Sequence, residues 1–302
     1  MNIQSYLPHL LLPFAVLAST STACFPQPQD KASPSSARFT FLPDGILFTP
    51  LFANLQESRV GVRKQVGSSR MKLDIGSTMD ILEIDLPSGD QKVSAGIDFF
   101  AYALSANSAG LRLQIDAVDG FFGGHLSYLA ASNTSSFSMR LRILHLSSHF
   151  ADGHYNKTSG TWKEGKAPIP FTKDFGELIG GYELRTGSFD IRLYSGFAHA
   201  VLVRPAEIRR VSTIHGFEIH SDRVIGQLLG KPCNVYLADN FTLVGIPRYV
   251  GTHNIEYGLK LGAWNGSGVR LYGSYFNGLD VFNQYYSVRR KEWGLGFVFD
   301  LW

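Results

Sequence analysis

Histidine and serine crowd the stretch Arg140–Asp152, RLRILHLSSHFAD. His145 and Ser147 lie two residues apart, and on a β-strand residues i and i+2 point to the same side. An imidazole beside a hydroxyl can take its proton and make it a nucleophile for acyl transfer. Ser148, His149 and Asp152 follow closely enough to support such a pair. They could equally pin the loop beyond it by hydrogen bonds, so a purely structural cluster is the competing reading. His145, His149, Asp152 and His154 are all metal-ligand types, but their spacing matches no metal motif. No Gly-rich phosphate loop and no Cys/His zinc spacing is present either. Neither a metal nor a cofactor is expected.

The element that must position the pair reads as a strand. Phe137, Met139, Leu141 and Ile143 share a face with His145 and Ser147, while Ser138, Arg140 and Arg142 take the other. A triad needs a third group to orient the histidine. The polar residues on offer are Asp152, Asn156, Glu177 and Glu183. Glu177 and Glu183 share a face opposite to Leu178, Tyr182 and Leu184, which turns them inward and away from His145.

The chain has 302 residues, 44% hydrophobic, 13% aromatic and 18% charged. That charged share is below the roughly 25% usual in soluble domains. A net charge of +3 comes from scattered basic residues, so nucleic acid is not indicated. Residues 1–23 resemble an export signal: an apolar core from Leu10 to Leu17, then Ser21-Thr22-Ala23 as a cleavage site. The core is shorter than the roughly 20 residues of a transmembrane helix. Cys24 would then be the first mature residue, open to lipid attachment or to pairing with Cys233 in an oxidising periplasm. Residues 24–57 read as a Pro-rich periplasmic linker and N-terminal segment, with a turn at Pro43-Asp44-Gly45.

From residue 58 to residue 302 the pattern has period two. Candidate strands are 58–66, 70–78, 80–87, 91–104, 109–117, 119–131, 136–148, 178–186, 188–201, 212–221, 233–243, 252–263, 267–277 and 289–302. Many reach the roughly 9–11 residues a tilted strand needs to cross a bilayer. The expected fold is all-β, a transmembrane antiparallel β-barrel of about 12 strands, within a range of about 10–14. Only a closed sheet leaves no backbone group unpaired in lipid. The last strand, Phe297-Val298-Phe299-Asp300-Leu301-Trp302, resembles the C-terminal signal by which bacterial outer-membrane proteins are recognised. It predicts an outer-membrane location and the barrel-assembly machinery as a partner reading Trp302. Outer-membrane lipids and lipopolysaccharide are the other expected partners, with Arg289, Arg290 and Lys291 placed to meet phosphates. The longest gap, about 149–177, reads as an external loop and puts His145 and Ser147 near the outer rim. Arg112, Asp116, Arg140, Arg142, Glu183, Asp190 and Arg192 point inward, where they could line a channel or form a salt-bridged plug. The expected function is a structural or interaction barrel or a small-solute channel; the alternative is a lipid acyl-ester hydrolase.

Two blocks carry a family resemblance. Phe41–Leu51 (FLPDGILFTPL) and Arg140–Asp152 resemble, in order and spacing, the bacterial family catalogued as domain of unknown function 1207. That family tends to read as an arginine-rich strand followed by His-x-Ser-Ser-His-x-x-Asp. The resemblance covers residues 38–302 and implies architecture rather than activity. Gly153 departs from it, since the family pattern leads one to expect an acidic residue there. His-x-Ser on a strand is also similar to two outer-membrane lipid hydrolases, phospholipase A and lipid A deacylase, where the pair faces lipid near the outer leaflet. That similarity implies Ser147 as nucleophile and His145 as base. It would put the third member at Ser159, inside the long loop.

Overall fold

Alternation gives every strand two faces, and the closing of the sheet decides which becomes the inside. The computed structural model describes residues 36–302 apart from 88, 109 and 110. The export signal at 1–23, Cys24 with its lipid or its bond to Cys233, and the linker up to residue 35 lie outside the described residues. The strands are β1 (Arg38–Phe41), β2 (Val60–Gln65), β3 (Met71–Asp85), β4 (Gln91–Ser108), β5 (Leu111–Ala131) and β6 (Ser135–Phe150). A short ribbon follows, β7 (Tyr155–Asn156) and β8 (Thr161–Trp162). Then come β9 (Phe171–Arg185), β10 (Asp190–Arg204), β11 (Val211–Leu228), β12 (Lys231–Ile246), β13 (Arg248–Gly262), β14 (Gly268–Leu279) and β15 (Arg289–Asp300).

Apart from the ribbon and β1, each strand pairs antiparallel with its neighbour in sequence, and β15 returns to β2 with Phe299 opposite Val60. The result is a closed 12-strand antiparallel barrel. β1 is an appendage, zipped to the end of β3 with Arg38 opposite Asp85. Fourteen candidate segments become twelve strands because two expected breaks are absent. Segments 70–78 and 80–87 are one strand, β3, which passes a bulge between Asp80 and Leu82. Segments 109–117 and 119–131 are likewise one strand, β5. The expected gap 149–177 is also too wide: β6 runs to Phe150 and β9 begins at Phe171. Lys173 and Asp174 put a charge on each face there, which hides the alternation.

Outside and inside are inverted relative to a soluble protein. Phe99, Ile143, Leu193, Leu271, Leu295 and Phe299 are exposed, whereas Arg142, Glu218, Glu256, Lys260 and Arg270 are buried in the lumen. Buried charge survives only when paired. Arg142 Nη2 meets Glu177 Oε1 at 2.6 Å, Arg270 Nη1 meets Glu256 Oε1 at 2.9 Å, and Lys260 Nζ meets Asp300 Oδ2 at 2.9 Å.

The segment between β1 and β2 fills the lumen. Phe48, Leu51, Phe52, Ala53, Glu57 and Arg59 are all buried. Their anchors come from far-apart strands. Arg192 of β10 donates to the Thr49 carbonyl at 2.9 Å, Glu218 of β11 accepts from Phe52 N–H at 2.7 Å, and Asn254 of β13 donates to the Ala53 carbonyl at 2.7 Å. On β6, Arg140 donates to both oxygens of Glu57 at 3.0 and 2.5 Å, and Arg142 adds a contact at 3.3 Å. Phe48 lies between the Arg140 and Arg192 guanidinium groups at 4.4 and 4.6 Å, and Phe52 carries Arg270 at 4.0 Å. Of the two uses open to the inward charges, Arg140 and Arg142 of β6 and Arg192 of β10 serve a plug. Arg112 is not among the described side chains.

At the rim opposite the chain end, residues 151–170 and 280–288 fold against the wall. Tyr285 donates to Asp116 Oδ2 at 2.5 Å, and His154 Nδ1 and Lys163 Nζ reach Asp116 Oδ1 at 3.1 and 3.2 Å.

Two outcomes follow. Glu57→Gln leaves two buried guanidinium groups without that shared carboxylate, and a loss of about 3–5 kcal/mol is expected, read as a lower denaturant midpoint in detergent. An unchanged midpoint would mean that this ion cluster does not hold the plug. In planar bilayers the purified chain should give no sustained conductance, and steady open steps would contradict a filled lumen.

Candidate functional site

β6 and β9 are neighbours, and their register sets His145 opposite Asp174 and Ser147 opposite Thr172. Partners on one face of an antiparallel pair lie close enough for their side chains to touch. His145 Nδ1–H donates to Asp174 Oδ1 at 2.5 Å. Nδ1 is thereby committed, and Nε2, the other ring nitrogen, has no partner among the described residues. An imidazole so oriented presents a bare acceptor to whatever approaches the wall. The His145 and Asp174 side chains are 33% and 39% exposed, so the pair is at the surface rather than in the lumen. Phe122 of β5 backs the imidazole, with ring centroids 4.8 Å apart.

Ser147 sits one step nearer the rim on the same outward face. It makes no hydrogen bond to His145 among the described residues. Its hydroxyl lies over Gly120, about 4.0 Å from where a Cβ would stand. From Phe137 to His145 the strand climbs eight steps of about 3.3 Å. At a tilt of about 40° that is a height of roughly 20 Å, against an apolar band of about 25 Å. Measured from Phe137, His145 therefore lies toward the far end of such a band, level with the exposed Phe122 and Phe99. A shallow outward groove of about 650 Å³ adjoins it, lined by Leu141, Ile143, Leu178, Phe197 and His199, with Gly123 and Gly176 in its floor.

Asp174 was not among the carboxylates or amides that the sequence offered. Glu177 faces the lumen and binds Arg142. Asn156 and Ser159 belong to the ribbon beyond the rim. The proposed supporters of the pair part company. Ser148 points inward and donates to Asp119, while its carbonyl accepts from Gln284 Nε2 at 2.8 Å. His149 is outward and exposed, and Asp152 is exposed on the short turn Asp152–His154. His154 is fully buried, stacked on Phe150 with centroids 3.4 Å apart. The loop is thus pinned by Ser148 and His154 rather than by His149 and Asp152. Among the described residues no three His, Cys, Asp or Glu side chains converge on a point where a metal would sit.

The outer wall holds other polar pairs. Ser195 Oγ meets His215 Nδ1 at 2.9 Å, and His253 Nδ1 meets Asp239 Oδ1 at 3.3 Å. Ser195 lies in the interior of its strand, within the apolar belt, and no carboxylate meets His215 among the described residues. Among the described residues, only at β6 and β9 do a carboxylate, an imidazole and a serine follow one another on one face at the rim.

The family model described as "Protein of unknown function (DUF1207)" matches residues 29–300. The chain belongs to that family. A comparison with curated protein sequences finds no match. Among solved structures, the chain is similar to the beta domain of the Bordetella autotransporter Brka, with 12% identity over 79% of this chain and 97% of that one, at a TM-score of 0.39. It is also similar to OmpT, an outer membrane protein of Vibrio cholerae, with 10% identity over 82% of this chain and 99% of that one, at a TM-score of 0.31. These overlaps are weak, and the barrel stands on its own hydrogen bonds. The glycine that departs from the family pattern has a steric reason: a Cβ on Gly153 would come within 2.5 Å of the Ile115 carbonyl oxygen.

If Asp174 fixes the imidazole, ¹⁵N NMR should find His145 protonated at Nδ1 when neutral. In Asp174→Ala the spectrum should move toward the mixture of tautomers that a free imidazole shows. An unchanged spectrum would mean that the carboxylate does not orient the ring.

Proposed function

We propose that the protein is a bacterial outer-membrane β-barrel with a plugged lumen, and that its outer wall hydrolyses acyl esters of lipids. The observation that carries this reading is the 2.5 Å contact between Asp174 and His145, on the outward face two residues from Ser147. A lipid ester held in the adjoining groove would meet the pair from the side, without entering the barrel. Ser147 Oγ would attack the ester carbonyl while its proton passes to His145 Nε2. Asp174 remains ionised and stabilises the imidazolium. The bond to the leaving oxygen breaks as that oxygen takes the proton from His145. Water then attacks the acyl-serine and gives its proton to His145, which passes it to Ser147 Oγ as the acyl–oxygen bond breaks, releasing the free acid. His149 follows Ser147 on the same outward face and would donate to the developing oxyanion. The serine and histidine need not touch without substrate, because catalytic hydrogen bonds often tighten only when substrate is bound.

The outer-membrane location rests on the apolar belt and on β15, whose Phe297 and Phe299 face outward, as does Leu301 just beyond it. In this reading the barrel-assembly machinery recognises that strand and Trp302, and Arg289 and Lys291 meet lipopolysaccharide phosphates at the far rim. A small-solute channel is the weaker use of the fold, because residues 47–59 occupy the lumen.

The test is hydrolysis of phospholipid and of lipid A by purified protein in detergent. Ser147→Ala and His145→Ala should each lower the rate at least about a thousandfold, and Asp174→Ala should lower it by a smaller factor. Ser195→Ala should leave it unchanged. Activity that persists in folded Ser147→Ala protein would sink the assignment.

A further inference from the structure

Behind the same two strands, on the lumenal side, lies a cavity of about 130 Å³. Its floor is the plug at Ala53, Leu55 and Gln56, and its roof includes Leu279, Val281 and Tyr286. The wall is mostly apolar, with Phe171, Phe175, Ile214 and Phe276 among its members. Into it points Lys173. Inward-facing residues of β9 alternate as Phe171, Lys173, Phe175 and Glu177, so the ammonium shares a face with two phenylalanines. Its Nζ lies 4.4 Å from the Phe175 ring centroid.

The two carboxylates on this cavity are already matched. Glu177 binds Arg142 at 2.6 Å, and Asp280 binds Arg70 at 2.7 Å and Arg290 at 2.9 Å. Among the described residues Lys173 makes no ion pair and no hydrogen bond. The nearest opposite charge on its face, Glu177, is already committed to Arg142, and a cation so placed in a largely apolar enclosure is costly. An anion supplied from outside the chain would remove that cost, and the apolar wall would favour one with a hydrophobic body. A cavity of comparable size, about 150 Å³ and lined by apolar side chains, accommodates benzene.

We infer that the lumenal cavity is a binding site for a small aromatic or branched-chain monocarboxylate, its carboxylate on Lys173 Nζ and its apolar body among Phe171, Phe175 and Phe276. Amide and hydroxyl groups of Gln56, Asn240 and Thr242 line the same space and can serve the remaining carboxylate lone pairs. The site is independent of the outer-wall pair, since it uses the opposite face of β6 and β9.

Benzoate is the probe, with benzyl alcohol and benzylamine as neutral and cationic equivalents, titrated by calorimetry into the full-length protein in detergent. Benzoate should bind, benzyl alcohol more weakly and benzylamine not at all. Lys173→Met should weaken benzoate about tenfold to a hundredfold, while Lys173→Arg should retain most of the affinity. Val244→Phe fills the cavity without touching the charge and should also abolish binding, so one folded variant suffices if another misfolds. Absence of benzoate binding, equal binding of benzylamine, or unchanged affinity in folded Lys173→Met would overturn the inference.

Discussion

Where water is absent, every backbone N–H and C=O must find its partner within the protein. In this molecule that requirement comes down to one seam. β15 has to return to β2, and Phe299 opposite Val60 is where the ring closes. Closure forces alternate residues into a lumen and leaves the rest on an outer belt. Polar residues then need partners inside, and the plug supplies several of them. Glu57 is the clearest case, because without it the two β6 arginines would share only Glu177. The wall and the N-terminal segment therefore make a single electrostatic unit.

Much of this was legible in the residues. Phe137, Met139, Leu141 and Ile143 against Arg140 and Arg142 announced both the strand and its orientation, and the structure keeps those faces. The apolar-alternating Trp293–Leu301 did the same for β15. What misled was punctuation. The expected breaks at Met79 and Val118 do not exist, because pairing of Met79 with Ile97 and of Val118 with Ala103 carries β3 and β5 straight through them. The plug was not legible either. FLPDGILFTPLF reads as part of a periplasmic N-terminal segment, because nothing local says that Phe48 and Phe52 will rest on guanidinium groups from distant strands.

The candidate site repeats that division. His145 and Ser147 were found by spacing, which needs only one strand. Asp174 could be found only by knowing the register of two strands, and the loop between them concealed where the second begins. Lys173 and Asp174 each break the apolar rhythm of their own face, so the start of β9 resembled loop. The two residues that hid the strand are the ones on which both proposals rest, one on the outer wall and one toward the lumen.

The plug has a further property that comes from where it starts and stops. Leu42 hydrogen-bonds to Ile81 near the end of β3, and Val60 pairs with Phe299 at the end of β15. Both attachments lie at the same mouth of the barrel, so residues 43–59 form a tucked loop rather than a thread passed from one opening to the other. Such a loop is not topologically trapped. It can be inserted after the ring has closed, or drawn out again, without parting a single pair of strands. What retains it is adhesion alone: the carboxylate of Glu57, the two aromatic rings and a handful of carbonyl contacts.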